Sequence, residues 1–504
     1  MKFTSSKNNS GISEIRVVAV LIFVFLNLAV FLLRAFSVWH CGALFTNGSD
    51  ASVIYPVWKA VHHFPIYTWP LQFPFSLTLY NYLFYETYAA FLRLVGASGA
   101  EMIPWGDLFT PAFAILGAIA QWKLVQNYLH LRGIQSLLSF LFALGLWFCT
   151  SIMRSYVLGI RPDIAAVALV MAALWMVVRQ PRFGFACAGV LFYLAWSFKQ
   201  SAVLSLSGIC LFLLVSKRWR DLSLLVAVFV ALTALTLFLG SPEYRYSILV
   251  APRIMSVFSV KWALSIAPKS LVANAYWILA PIALVLAAGV QRLDSSIRML
   301  TTVLAITLLG GLAGMARIGA WDHYLLEAFV SGSTLLQIAV FKTPGRIPNA
   351  LVFFGCILPA LQLATRPSGN EAHALGTVGI ATATEYDQAA ALRDRLALMK
   401  KPIFTTNDKY SLPWFSTDNH APALVIDRIF HNATKASCSN GCIEGMLQRG
   451  EVPTVMLLSS GDIYQSSLNP NYKKTGEVRE SGRLWSIYEL DDHGLAGKVL
   501  PNSN

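Results

Sequence analysis

Phe75-Ser76-Leu77-Thr78-Leu79-Tyr80-Asn81-Tyr82-Leu83-Phe84-Tyr85-Glu86-Thr87-Tyr88-Ala89-Ala90-Phe91-Leu92-Arg93-Leu94-Val95-Gly96 is the stretch on which the topology of this chain turns. It is apolar enough to pass for a membrane-crossing helix, yet it carries Asn81, Glu86 and Arg93 and is crowded with Tyr and Phe. Aromatic rings with polar tips settle at the boundary between hydrocarbon and water. The mix predicts a helix lying in that interface, not one that crosses. One span more here would invert the sidedness of everything downstream.

Outward from this stretch the chain is dominated by apolar runs. Of 504 residues, 56% are hydrophobic and 13% charged, against about 25% charged in a soluble domain. The runs have the length that crosses about 30 Å of hydrocarbon as a helix. Without water there, backbone groups must pair within the segment, which selects the helix. Spans are expected at 17–37, 106–128, 135–153, 162–178, 183–198, 201–216, 221–240, 270–290, 299–315, 323–341 and 349–365. The expectation is an α-helical polytopic membrane protein of about eleven transmembrane helices plus juxtamembrane helices. Val17–Phe36 is too long for a signal core and lacks a small-residue cleavage site after it, so it is expected to stay as an anchor.

The net charge of +13 does not call for nucleic acid. With 75–96 kept out of the count and the N-terminus inside, Lys2, Lys7, Arg16, Lys123, Arg132, Arg179, Arg182, Lys217, Arg218, Arg220, Arg292, Arg298, Lys342 and Arg346 fall on the cytoplasmic side. That is the positive-inside bias. An odd number of spans then puts the C-terminus on the outer, periplasm-like side, and a bacterial-type inner (plasma) membrane with a periplasmic or extracellular C-terminal domain is the expected location. Residues 1–370 form the transmembrane domain, with a first outer loop at 38–105, and 371–504 a small soluble α/β domain. In the latter, 376–381, 402–405, 423–427, 453–459 and 485–490 read as strands and 384–399 as a helix. Cys438 and Cys442 are a candidate local disulfide on that oxidising side, or two thiols. Cys149, Cys187, Cys210 and Cys356 lie in apolar runs and read as packing residues. No Cys/His spacing suits zinc.

Ionisable residues at span ends are the candidates for chemistry. Asp50 follows the first span and precedes the aromatic stretch Tyr55-Pro56-Val57-Trp58-Lys59-Ala60-Val61-His62. A carboxylate held near the headgroups can act as general base on a hydroxyl; it can also be a solvated loop acid. Arg161-Pro162-Asp163 opens the fourth span as a helix start. Lys199 lies between two apolar runs, either snorkelling or holding a phosphate. His323 and Glu327 are four residues apart, on one helical face at the start of the tenth span. A carboxylate at that depth needs a cavity or a partner.

Taken together, Asp50 after the first span, the aromatic juxtamembrane stretch, Arg161-Pro162-Asp163, Lys199-Gln200 and His323-Tyr324-x-x-Glu327 resemble the polytopic glycosyltransferases of the C-type (GT-C) fold. That superfamily contains the protein O-mannosyltransferases and lipid A aminoarabinose transferases. The resemblance spans 1 to 365 and implies transfer of a sugar from a polyprenyl-phosphate donor to an acceptor hydroxyl, with inversion, on the outer membrane face. It implies Asp50 as acid/base, and Lys199, Arg161, Lys59 and His62 as phosphate ligands. Tyr55, Glu86, Asp163, His323, Tyr324 and Glu327 would line the sugar and acceptor cavity. Many members carry two adjacent acids in the first loop, whereas Asp50 stands between Ser49 and Ala51; a second carboxylate would come from Glu86, Asp163 or Glu327. Implied partners are the lipid donor, a glycan, lipid or protein acceptor, and membrane lipids, with no nucleic acid. No cofactor is certain, and a divalent cation stays open. The competing readings are a transporter or lipid flippase, and a glycan ligase or polymerase with a pyrophosphate-linked donor gripped by Arg245, Arg253, Lys261 and Lys269.

Overall fold

The structure is a computed structural model. It describes residues 14–41, 51–72, 76–149, 152–179, 183–288, 294–318, 320, 322–342, 394, 398–399, 403–406, 433–434, 441–460, 462, 464–480 and 483–491. Its helices are α1 (Glu14–Cys41), α2 (Ala51–Val61), α3 (Tyr82–Leu94), α4 (Met102–Leu129), α5 (Gly133–Cys149), α6 (Arg154–Val157), α7 (Pro162–Arg179), α8 (Gly184–Phe198), α9 (Val203–Val215), α10 (Trp219–Leu239), α11 (Pro242–Arg245), α12 (Ala251–Ile254), α13 (Val260–Ala288), α14 (Ser295–Met315), α15 (Leu326–Lys342) and α16 (Cys442–Gln448).

Among the described residues, six helical segments are long and apolar enough to cross a membrane: Val17–Phe36, Met102–Leu129, Pro162–Arg179, Trp219–Leu239, Ser295–Met315 and Asp322–Lys342. Gly133–Phe148, Gly184–Phe198 and Gln200–Val215 are shorter apolar helices beside them. The chain is a multi-pass membrane protein. Helix α10 is nearly bare, with Phe238 and Leu239 exposed, as a helix facing lipid must be. The expected span 349–365 lies outside the described residues. Helix α3 has 13 residues, too few to cross, and buries Phe84, Tyr85, Tyr88, Ala89 and Leu92 against its neighbours.

Lipid tails give apolar helices no reason to prefer each other, so close packing and internal hydrogen bonds must hold the bundle. Trp147 Nε1 donates to Gln121 Oε1 at 2.8 Å, and Gln121 Nε2 donates to Gln337 Oε1 at 2.8 Å. Gln337 Nε2 then donates to Ser139 O at 2.7 Å. This buried chain ties α4, α5 and α15 together. Gly208 lets α9 lie directly on α14: a Cβ there would stand 2.7 Å from Val303 Cα.

The juxtamembrane helices α2 and α3 cover one end of the bundle. Above them lies a four-stranded sheet of order β1-β2-β4-β3, from β1 (Ile403–Thr405), β2 (Thr454–Leu458), β3 (Tyr472–Glu480) and β4 (Arg483–Leu490). β1 runs parallel to β2, and the other pairs are antiparallel. Side chains alternate across the pleat. Ile403, Met456, Trp485 and Ile487 join the cluster of Trp58, Tyr85 and Tyr88 on α2 and α3. Phe404, Val455 and Leu457 instead pack with Ile443, Met446 and Leu447 of α16. Three expected strands coincide with β1, β2 and β4. β3, Tyr-Lys-Lys-Thr-Gly-Glu-Val-Arg-Glu, escaped sequence reading because an edge strand carries charge that blunts pairing with other chains. The expected strands 376–381 and 423–427 lie outside the described residues, as do Cys438 and, apart from Asp394, Leu398 and Met399, the expected helix 384–399. Cys442 is disulfide-bonded.

Gly208→Val forces a branched side chain into the Val303 backbone, an overpacking cost of about 1–3 kcal/mol. The thermal midpoint in detergent is expected to fall by several degrees; an unchanged midpoint contradicts the close α9–α14 contact.

Candidate active site

Four helix ends meet beneath the juxtamembrane layer. Pro162 opens α7 and places Asp163 in its first turn, where the helix dipole favours an anion. α8 stops at Phe198, and Lys199 leaves it in an extended conformation. The two converge: Lys199 Nζ forms an ion pair with Asp163 Oδ1, both side chains buried. Each ion alone would cost several kcal/mol of desolvation here, so the pairing is obligatory.

Around the pair stand the other ionisable groups. Glu327 on α15 accepts from the Ser205 backbone N at 2.9 Å and from the Ser205 hydroxyl. Residues 322–325 form a 3-10 turn leading into α15. Tyr156 Oη donates to Asp322 Oδ1 at 2.6 Å. The His323 ring lies edge-on to Tyr156 at 6.1 Å and beside Tyr324 at 4.5 Å. Lys199 Nζ is 5.7 Å from the Tyr324 ring centre, and the Arg161 guanidinium 5.3 Å from that of Tyr156. The Arg161 loop is held from α4 and α3: Thr110 Oγ1 donates to Gly159 O at 2.6 Å, and Tyr88 Oη to Arg161 O at 3.3 Å. Tyr324 has room because α14 lacks side chains opposite it. A Cβ on Gly311 would stand 2.5 Å from Tyr324 O, and one on Gly314 2.6 Å from its ring.

Asp163, Lys199, Ser201, His323 and Glu327 form the polar wall of a small cavity that is partly open to the outside. Tyr80 stands within electrostatic reach of Asp163, Lys199, Arg161 and Tyr324; burial, then the Asp163 charge, push its phenol up. It therefore stays a neutral donor. Among the described residues, no group of three or more His, Cys, Asp or Glu could hold a metal ion.

The structure thus gathers Arg161, Asp163, Lys199, His323, Tyr324 and Glu327, drawn from segments far apart in sequence. Asp50 lies outside the described residues; Ala51, its neighbour, begins α2. Lys59 is buried in α2, with Nζ 3.4 Å from Ser76 Oγ and 3.5 Å from Thr68 Oγ1, and 5.2 Å from the Tyr55 ring centre. No carboxylate pairs with it among the described residues, and burial pushes its ammonium down to about 7. His62 turns away, its Nε2 2.9 Å from Ser98 O. Glu86 is exposed and 3.8 Å from Arg93, so the structure does not bring it to the cluster. Arg245, Arg253, Lys261 and Lys269 are exposed and do not line the cavity. Sequence reading missed Tyr156, Asp322, Ser205 and Tyr80. Asp322, next to His323 at a span boundary, carried a legible signal; the others are ordinary polar residues until the fold assembles them.

Neither a family model nor a curated protein sequence matches the chain. The fold does have solved counterparts. ArnT from Cupriavidus metallidurans bound to undecaprenyl phosphate superposes with a TM-score of 0.62 at 11% identity, covering 93% of this chain and 97% of that one. Its apo state gives 0.62, 11%, 94% and 98%. The Archaeoglobus fulgidus oligosaccharyltransferase in complex with Zn and sulfate gives 0.50 at 14% identity, covering 88% of this chain and 68% of that one.

The protein has the GT-C fold. In this GT-C chain the juxtamembrane helices form the roof over the ionic cluster, and the C-terminal sheet rests on that roof.

The roof lysine gives a pH signature. Folding lowers the Lys59 ammonium from 10.5 to about 7. The folded state is therefore penalised in full below about 7, and the penalty fades as pH rises towards the unfolded value. Lys59→Met is expected to raise the thermal midpoint at pH 6 and to do so much less at pH 9.5. A difference that is equal at both, or larger at pH 9.5, contradicts an unpaired buried ammonium.

Proposed function

We propose that this protein transfers a sugar from a polyprenyl-phosphate lipid to an acceptor hydroxyl, with inversion, and that Asp50 is the acid/base. The observation that carries this reading is the buried Lys199–Asp163 pair, which walls a cavity at the helix ends, with Arg161 two residues before Asp163. The GT-C counterpart ArnT was solved bound to undecaprenyl phosphate, which supports a lipid phosphate as the group these cations meet.

The chemistry is one displacement. The acceptor oxygen attacks the anomeric carbon, the bond from that carbon to the phosphate oxygen breaks, and the acceptor proton passes to Asp50. The lipid phosphate leaves with the bonding pair, so its negative charge grows as the bond lengthens. Cations already fixed in a buried site stabilise that charge without reorganising. Asp163 aims the Lys199 ammonium, and the guanidinium of Arg161 can grip two phosphate oxygens at once. Lys59 sits under Ser76, at the head of the segment that brings Tyr80 to the cluster. Glu327 and His323 then face the sugar or acceptor. Lys123, Arg179, Arg218 and Lys342 lie at the opposite helix ends, and the positive-inside bias supports placing the cavity on the periplasmic side of a bacterial-type inner membrane.

Asp50→Asn is expected to elute as a folded protein and lose about 10²- to 10⁴-fold in transfer from a polyprenyl-phosphate sugar. Full activity in that variant removes Asp50 from the chemistry. Lys199→Met alone leaves a buried carboxylate unpaired and should cost about 3–5 kcal/mol of stability. Adding Asp163→Asn should restore the thermal midpoint but leave a roughly tenfold raised KM for the donor, about 1.4 kcal/mol. A parental KM in the double variant returns the pair to a purely structural role.

A further inference from the structure

The chain reverses between α8 and α9 within a few residues, and Lys199 is the residue at which α8 stops. A helix end leaves its last four carbonyls without intrahelical donors. Here the Lys199 amide still closes on Ala195 O at 2.9 Å. The next carbonyl, that of Trp196, is taken by a side chain from the juxtamembrane layer: Asn81 Nδ2 donates to it at 2.6 Å. Asn81 is completely buried, and its Oδ1 accepts from Tyr244 Oη at 2.8 Å. Nitrogen against a carbonyl and oxygen against a hydroxyl fix the amide in one orientation.

The neighbours of Asn81 are held as well, one of them from the same turn. Gln200 Nε2 donates to Leu79 O at 2.9 Å, and Tyr67 Oη to Tyr80 O at 2.7 Å. The segment 79–81 thus holds the residues on both sides of Lys199, while Lys199 reaches away from it to Asp163. Were α8 to run on through Lys199, that side chain would leave its extended position and project about 100° round the axis from Phe198. The ammonium would then leave Asp163.

We infer that Asn81 is a positioning residue for Lys199: by occupying the Trp196 carbonyl it fixes where α8 ends and so the direction from which Lys199 meets Asp163 and the cavity. Tyr244 acts one step further out, by holding the Asn81 amide. The structural part stands on hydrogen-bond geometry alone; its consequence for lipid binding rests on the function proposed above.

Two measurements on the purified full chain test this. The first is hydrogen exchange of backbone amides in the ligand-free protein. Asn81→Leu, and Asn81→Asp as the variant that keeps size and the acceptor for Tyr244, are expected to speed exchange at 197–203 by about tenfold, the scale of one lost buried hydrogen bond. Tyr244→Phe should give a smaller rise, with amides 121–125 at parental rates in all three. Parental exchange at 197–203, or an equal rise at 121–125, overturns the inference. The second is binding of undecaprenyl phosphate in a mutant cycle. Asn81→Asp should weaken binding in the parent, yet have no further effect in the Lys199→Met/Asp163→Asn background. Additive losses give Asn81 a role of its own and overturn the inference. Parental binding by the Lys199→Met/Asp163→Asn protein overturns the donor role of Lys199 instead, and the exchange result still decides the place of Asn81.

Discussion

The ion pair between Lys199 and Asp163 is the constraint on which the rest of this molecule is arranged. Two opposite charges buried at the ends of apolar helices persist only if each is held against the other. That requirement ties the start of α7 to the end of α8. It then dictates the surroundings: a helix end capped from outside by Asn81, a glycine-lined face of α14 that admits Tyr324, and Ser205 donating to the Glu327 carboxylate. Each supporting contact comes from a different part of the chain, so the cluster exists only in the assembled fold.

The two ends of the bundle solve different problems. Away from the cluster, Gln121, Trp147, Gln337 and Ser139 satisfy one another inside the bundle, which favours a fixed helix arrangement in a medium without water. At the cluster end the polar groups are set around a hollow, and the aromatic helices α2 and α3 close over it. The sheet then adds a second layer on those helices through alternate residues of β1, β2 and β4. Strand alternation is what allows one small sheet to grip the roof with one face and α16 with the other.

The six helices long enough to cross were legible because crossing hydrocarbon demands a long apolar run, and 75–96, which imitates one, was separable from them by Asn81, Glu86 and Arg93. Asp163, Lys199, His323 and Glu327 were legible as candidates because ionisable groups at span ends are costly. Their pairing was not. Asp163 alone reads as a helix start and Lys199 alone as a snorkelling cation, and 36 residues separate them. Glu86 shows the opposite limit: the family resemblance implied a place in the cavity, but the face it occupies is the exposed one shared with Arg93. Asn81 first counted only as evidence against a span; its use as an outside cap depends on a contact 115 residues away.

The most direct test of the whole account is the structure of the protein with undecaprenyl phosphate, read at the phosphorus position. The account predicts the phosphate in the cavity walled by Lys199 and Asp163, within hydrogen-bonding reach of Lys199 or Arg161 and beneath α2. A phosphate at the opposite helix ends, beside Lys123 or Lys342, would contradict it.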